Sequence, residues 1–194
     1  MDNKVYILGK DTVPSHIELQ AGESLMATFV APYGVSGNFD VQIDLLGPEA
    51  ELDLAGLYLC EGSQQVQFNL NVRHLSGHCR SKQLFKGLAK DSSKVSFNGL
   101  VYVAKDAQQT EALQENHSLL LSPDANVQSQ PQLEIYADDV VCSHGATIGS
   151  LDEQALFYMC SRGIDKATAQ QLLIQSFLSP VLSRLPEGFL KIEL

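Results

Sequence analysis

The segment Val66-Gln-Phe-Asn-Leu-Asn-Val72 places apolar side chains at every second position, with polar side chains between them. Because successive side chains of a strand point to opposite faces, this alternation predicts a half-buried β-strand. Similar alternation occurs at residues 41–45, 51–54 and 133–136. Turn residues separate such segments at intervals of about ten residues, which indicates an all-β solenoid, sandwich or barrel rather than strands joined by long crossover helices.

The glycine content of the chain changes near Gly149. Twelve of the 14 glycines lie at or before this residue. Beyond it, Ser150 and Glu153 form a Ser-x-x-Glu capping box, which predicts the start of a short helix, and Gly163 is placed as its C-terminal cap. We therefore expect a β core over residues 1–149 and a C-terminal helical segment over residues 150–194.

A second helix is predicted after Asp165, which is a good N-cap residue. Apolar residues then recur at intervals of three and four and predict one apolar stripe, made of Ala169, Leu172, Leu173, Phe177 and Val181. An apolar stripe of this kind is expected to be buried against another surface. Packing on the β core and binding to a partner protein are both open at this point.

The dipeptide Asn98-Gly99 lies between two apolar segments. Taken alone, it favours a β-hairpin, because both residues tolerate positive φ angles. The same dipeptide also suits a corner between successive turns of a β-helix, which requires left-handed backbone conformations. The local pattern leaves both possibilities open.

Acidic residues outnumber basic residues by 23 to 13, which gives a net charge of −10, and the basic residues form no run. This charge disfavours direct binding to nucleic acid or to an anionic membrane. The first ten residues lack the apolar stretch of a secretory signal, and no run of about twenty apolar residues could span a bilayer. These observations predict a cytosolic protein.

Cys142 and His144 are the most informative pair of polar residues. Side chains two positions apart on an extended segment share one side, so the two could face one metal ion or one partner. A thiolate and an imidazole suit iron, zinc or an iron-sulfur cluster. Closed sites of this kind need about four ligands, so the others must come from elsewhere, such as Asp138, Asp139 or a second chain.

The remaining cysteines and histidines are expected to be structural. No Cys-x-x-Cys pair is present, which argues against a zinc ribbon, and free thiols are expected in a reducing compartment. Burial is predicted for Cys60, Cys79 and Cys160. His74 and His78 flank Ser76-Gly77, a turn signal, so their rings need not converge on a metal. Phosphate-binding glycine motifs and the Gly-x-Ser-x-Gly elbow are absent, so we expect no enzyme activity and place any ATPase in a partner.

Several longer stretches together resemble one protein family. They include Leu133-Glu-Ile-Tyr-Ala-Asp-Asp-Val, Cys142-Ser-His-Gly-Ala-Thr-Ile-Gly, Leu151-Asp-Glu-Gln-Ala-Leu-Phe-Tyr and Ser161-Arg-Gly-Ile. Upstream stretches over residues 52–59, 74–87, 95–99 and 114–122 agree with them. This ordered set resembles the SufB/SufD family of iron-sulfur cluster assembly scaffold proteins, and within it the SufD type, over roughly residues 40 to 180.

The resemblance implies a mainly β protein, with a right-handed parallel β-helix followed by a short helical segment. It implies a scaffold in the SufBCD complex, in which the helices dock the ATPase SufC and the β-helix pairs with that of SufB. Cys142 and His144 would then lie at a labile metal site shared with SufB, holding iron or an iron-sulfur cluster transiently and no tightly bound cofactor. The residues expected in or beside the SufC-docking region are Leu156, Phe157, Tyr158, Arg162, Leu172, Leu173 and Phe177.

Two other functions remain open from the residues. A β-solenoid carbohydrate-active enzyme would use paired carboxylates such as Asp138 and Asp139, although adjacent residues on a strand point to opposite sides. A self-associating structural protein would instead bury its solenoid edges and helical stripe in a homodimer. SufD-type proteins can also self-pair, so a homodimer of the isolated chain is compatible with either class.

Overall fold

The computed structural model describes residues 3–186 and 189 and contains eleven strands followed by two helices. The elements are β1 (Asn3–Ile7), β2 (His16–Leu19), β3 (Ser24–Ala31), β4 (Gly37–Leu45), β5 (Glu51–Cys60), β6 (Gln65–His74), β7 (Arg80–Ala89), β8 (Lys94–Val103), β9 (Thr110–Leu120), β10 (Asn126–Ile135), β11 (Val140–Gly149), α1 (Glu153–Ser161) and α2 (Lys166–Leu182). The predicted fold class, a mainly β solenoid followed by a short helical segment, is confirmed.

The strands alternate between two sheets, and every pairing is parallel. Sheet A has the order β1-β3-β5-β7-β9-β11, and sheet B has the order β10-β8-β6-β4-β2. Glu51 on β5 pairs with Arg80 on β7, and Arg80 pairs with Glu111 on β9. One turn of the solenoid therefore takes about thirty residues, contributes one strand to each sheet, and lies about 4.8 Å above the turn before it.

Apolar side chains that point inward from both sheets fill the lumen of the solenoid. Aromatic rings form a column through its first two thirds, with successive centroids 4.9 to 5.4 Å apart, made of Phe29, Phe39, Phe68, Phe85 and Phe97. Glycines make room for the largest rings: a Cβ atom on Gly87 would lie 2.1 Å from the ring of Tyr58. The Tyr58 hydroxyl is thereby able to hydrogen-bond with Ser118, two turns further along sheet A.

Asn98 and Gly99 lie in the middle of β8, so both the hairpin and the corner suggested by this dipeptide are wrong. Gly99 is not at a positive φ angle. It faces the lumen, and a Cβ atom there would lie 2.5 Å from the Nε2 atom of Gln114, which comes from the opposite sheet. The glycine therefore provides space for another side chain rather than a turn conformation.

The helix boundaries agree with the sequence signals except at one cap. Asp152, and not the predicted Ser150, is the N-cap of α1, because its carboxylate accepts hydrogen bonds from the backbone of Gln154 and Ala155. Gly163 follows α1 at φ 90° and forms the predicted C-terminal cap, in which the Ile164 N–H donates to the carbonyl of Met159. Asp165 is the N-cap of α2, as predicted.

Helix α2 packs on the outer face of sheet A, which is the first of the two alternatives for its apolar stripe. The buried residues of α2 are Ala169, Ile174, Leu178 and Val181. Three of them, Ile174, Leu178 and Val181, pack against Val30, Ala55, Leu57, Leu59 and Leu88. Leu172 of the predicted stripe is 44% exposed, so the stripe is rotated from its predicted position, because α2 carries apolar residues on more than one face.

The division of the chain at Gly149 stays a prediction. The last strand ends at Gly149 and α1 begins at Glu153. Arg184 ties the end of the helical segment back to β5 by an ion pair with Asp53 at 2.7 Å. Residues 187, 188 and 190–194 of the predicted helical segment lie outside the described residues.

Candidate functional site at the open end of the solenoid

The solenoid ends in the strands β10 and β11, which are the last strands of sheet B and sheet A. Within residues 3–186 and 189, no strand pairs with their outer edges. We call this turn the open end. Strand edges of this kind present unpaired backbone N–H and C=O groups, which can pair with a strand of another chain.

The open end exposes large apolar side chains to solvent. Four large apolar residues here are between 39% and 73% exposed, namely Ile135, Tyr136, Val141 and Ile148. Exposed apolar residues next to an unpaired strand edge are typical of a surface that another protein covers.

Cys142 and His144 both lie on β11 and face the lumen side of the open end. Cys142 pairs in register with Ala112, and His144 pairs with Gln114. Ala112 and Gln114 are buried residues of β9 that point into the lumen. Their register partners Cys142 and His144 therefore also lie on the lumen side of sheet A. The strand geometry thus gives the two residues the common side that their spacing predicts.

The thiol of Cys142 is half-buried and packs against a small apolar cluster of Val101, Val103, Ala107, Ala112 and Ala137. Burial raises the pKa of the Cys142 thiol, and the backbone N–H of Ala112 opposes this shift. The thiol is therefore protonated at neutral pH and must lose its proton when it binds a metal. His144, in contrast, is exposed.

The described part of the chain supplies two metal ligands to this site, which is fewer than a closed metal site needs. Among residues 3–186 and 189, no group of three or more His, Cys, Asp and Glu side chains is placed to hold a metal ion. Asp138 and Asp139 are exposed in the turn before β11, where the Asp139 backbone N–H donates to the side chain of Gln108. The donor types fit iron or zinc, but further ligands must come from outside these residues.

Polar side chains line the lumen below the open end, and the sequence patterns did not reveal them. Gln83, Gln114, Asn116 and Ser118 are each no more than 2% exposed. The Gln114 Nε2 atom donates to the Gln83 Oε1 atom over 3.0 Å, and the Asn116 Nδ2 atom donates to the Ser129 hydroxyl over 2.9 Å. In the sequence, these residues alternate strictly with others along β7 and β9, which indicates that they share one face of each strand. Their contact depends on the pairing of β7 with β9, which are about thirty residues apart in the chain.

His74 and His78 do not converge, so the structure supports the structural role predicted for them. His74 is fully buried, its Nε2 atom lies 2.8 Å from the Ser81 hydroxyl, and burial lowers the pKa of its imidazole to about 4. His78 is exposed in the turn after β6. The predicted burial of Cys60 and Cys79 is confirmed, and burial raises the pKa of the Cys60 thiol to about 12. Cys160 is half-buried.

The residues predicted for partner docking fall into two groups. Those on the surface are Phe157, Tyr158, Arg162 and Leu172, and the first two are 74% and 63% exposed. Leu156, Leu173 and Phe177 are half-buried, and the Phe177 ring lies 4.4 Å from the ammonium of Lys86 on β7. Helix α1 has no buried residue at all. A free surface for binding is thus present mainly on α1.

No helix in the described ranges has both the length and the apolar character needed to cross a membrane.

Comparison with known proteins identifies the family. The sequence model of a protein family, described as the SufBD core domain of the SUF system for iron-sulfur cluster assembly, matches residues 16–177. The chain is 44% identical over 120 residues to the iron-sulfur cluster assembly protein SufD of Escherichia coli, covering 62% of this chain and 28% of that protein. It is 42% identical over 160 residues to the chloroplastic protein ABCI7 of Arabidopsis thaliana, covering 81% and 33%.

A third relative, the iron-sulfur cluster assembly protein SufD of Bacillus subtilis, is 35% identical over 149 residues, covering 76% of this chain and 34% of that protein. The chain thus spans about a third of the length of these relatives. The residues matched by the family model, 16–177, include the whole of the open end and most of the helical segment. From the family model and these relatives, the chain belongs to the SufB/SufD family of iron-sulfur cluster assembly proteins.

Proposed function

We propose that this chain acts as a non-catalytic, SufD-like scaffold that offers Cys142 and His144 at a site shared with a SufB-type partner. The observation that carries this proposal is the position of both residues at the open end, beside the unpaired edge of β11. A partner strand that pairs with this edge would cover the exposed apolar residues and bring its own side chains next to the two donors.

The chemistry of the two donors agrees with iron or an iron-sulfur cluster as cargo. Thiolate and imidazole are ligands of both, whereas magnesium and calcium prefer oxygen. A site completed only by a second chain would hold its cargo while the chains are together and release it when they separate. We therefore expect the cargo to be bound transiently and no cofactor to be held tightly.

We further propose that the helical segment docks a SufC-type ATPase, chiefly through α1. The support is the exposure of Phe157 and Tyr158 on a helix that has no buried residue in the described part of the chain. Aromatic side chains exposed in this way are frequent anchors of protein interfaces, and single anchors commonly contribute more than about 2 kcal/mol to binding.

Replacing Phe157 and Tyr158 together by serine is expected to weaken binding to a SufC-type ATPase at least about tenfold, because both apolar anchors are lost. The measurement is the dissociation constant from titration of the intact chain with the purified ATPase. The matched control replaces Gln175, an exposed polar residue of α2, by alanine and should bind like the unmodified chain. Equal affinity of the double variant and the control would contradict docking through α1.

A further inference from the structure

Two glutamines below His144 form a short ladder inside the solenoid. Gln83 on β7 pairs in register with Gln114 on β9, and Gln114 pairs with His144 on β11. Both glutamines are fully buried. Below Gln83 the same column continues with Leu54, which is apolar. The polar part of the column therefore begins at Gln83 and leads only toward the open end.

The ladder leaves two polar atoms without a hydrogen-bond partner among the described residues. These are the Gln83 Nε2 atom and the Gln114 Oε1 atom. Burying an unpaired amide group destabilises a folded protein by about 1–3 kcal/mol, whereas apolar side chains of the same shape would avoid this cost. Packing alone does not account for two glutamines at these positions, because leucine or methionine would fill them at lower cost.

The direction of the amide hydrogen bond decides which atom of the Gln114 amide stays free. The Gln114 Nε2 atom donates downward to Gln83 over 3.0 Å. In a planar amide the oxygen and the nitrogen diverge from the same carbon, so when Nε2 donates to Gln83, Oε1 is left free to accept from a group other than Gln83. His144 stands in register on the next turn, about 4.8 Å above.

Gly99 keeps the Gln114 amide in this place from the opposite sheet. A Cβ atom on Gly99 would lie 2.5 Å from Nε2 and 2.7 Å from Oε1, which is closer than real contacts allow. The amide thus fills a space that only a glycine leaves open. The free oxygen is held by the ladder below it and by the glycine beside it.

We propose that Gln114 is a positioning residue for His144. The exposed ring of His144 makes no hydrogen bond to Gln114 in this structure, and when it turns toward the lumen its ring N–H donates to the unpaired Gln114 Oε1 atom. This bond fixes one neutral tautomer of the ring, so that the other nitrogen keeps its lone pair and faces the partner and the iron. Metal-binding histidines commonly donate their second ring nitrogen to such an acceptor, and removal of the acceptor lowers metal affinity about 10- to 100-fold. The inference rests on the proposed function, because it assigns His144 as a metal ligand.

The test replaces Gln114 by methionine, which has a similar volume and no amide. Ring nitrogen NMR of His144 in the intact chain, recorded without metal, should show one dominant tautomer in the unmodified chain and a mixture in the variant. Gln130→Met is the matched control, because Gln130 is exposed on the outer face of β10 and should leave the tautomer unchanged. Should Gln114→Met fail to fold, Gln83→Met removes the lower anchor of the ladder and should shift the tautomer in the same direction.

The same variants separate the positioning role from a packing role and from the proposed function. A packing role alone would change the free energy of unfolding of Gln114→Met and leave the tautomer as in the unmodified chain, and this result would overturn the inference. With the SufB-type partner added, Gln114→Met should bind ferrous iron about 10-fold or more weakly. A shifted tautomer together with full iron uptake by His144→Ala would instead support the ladder and contradict the proposed metal site.

Discussion

Alanine at both Cys142 and His144 is expected to reduce cluster formation on the reconstituted complex at least about tenfold. The two residues are the donors that this chain presents at the open end, and the described residues offer no third donor beside them to compensate. The measurement is anaerobic reconstitution of the chain with SufB-type and SufC-type partners, ferrous iron and sulfide, followed by iron content and visible absorbance.

Matched controls for this double variant use the same residue types elsewhere in the chain. Cys160→Ala removes a half-buried thiol in α1, and His78→Asn removes an exposed imidazole. Asparagine is chosen because His78 has a φ angle of 60°, a conformation that asparagine tolerates better than alanine. Both controls should give full cluster yield. Equal yields from the double variant and the controls would remove Cys142 and His144 from the site.

Gly87→Ala is expected to lower the free energy of unfolding by about 3 kcal/mol, the upper part of the range for overpacked cores. The added Cβ would lie 2.1 Å from the ring of Tyr58. This ring is fully buried, and its hydroxyl is hydrogen-bonded to Ser118, so the ring cannot move aside without losing that bond. Urea denaturation of the intact chain measures the effect.

Gly149→Ala is the matched control for this substitution. Gly149 also lies on a strand of sheet A, has no atom within 4 Å of the position of its Cβ, and is not at a positive φ angle. Alanine is favoured over glycine in a strand by about 0.5–1 kcal/mol, so this variant should be as stable as the unmodified chain or slightly more stable. A similar loss for both variants would show that space at Gly87 is not limiting.

Alternation in segments such as residues 66–72 was enough to predict strands, but not their pairing. A period of two is common to parallel and antiparallel sheets, so the solenoid followed from the family resemblance and not from the pattern. Asn98-Gly99 shows the same limit. The constraint on Gly99 comes from Gln114 on the opposite sheet, and local turn preferences carry no information on that contact.

The candidate site was predictable to the extent that it depends on local spacing. A spacing of two residues on one strand is enough to place Cys142 and His144 on the same side of that strand. The ladder of Gln83 and Gln114 depends instead on the register of three strands that are about thirty residues apart, which no local pattern contains. Helix α2 shows a related limit, since Leu172 and Ile174 are both apolar and only contact with sheet A distinguishes the buried one.

The most direct test of the central proposal is hydrogen exchange of the chain with and without a SufB-type partner. Pairing at the open end would protect every second backbone amide of β11, within residues 140–149, at least about tenfold, because these amides point to the unpaired edge while the others already face β9. Amides of β2, at the opposite end of sheet B, should exchange as in the free chain. Tight binding of the partner with unchanged exchange throughout β11 would contradict a shared site at Cys142 and His144.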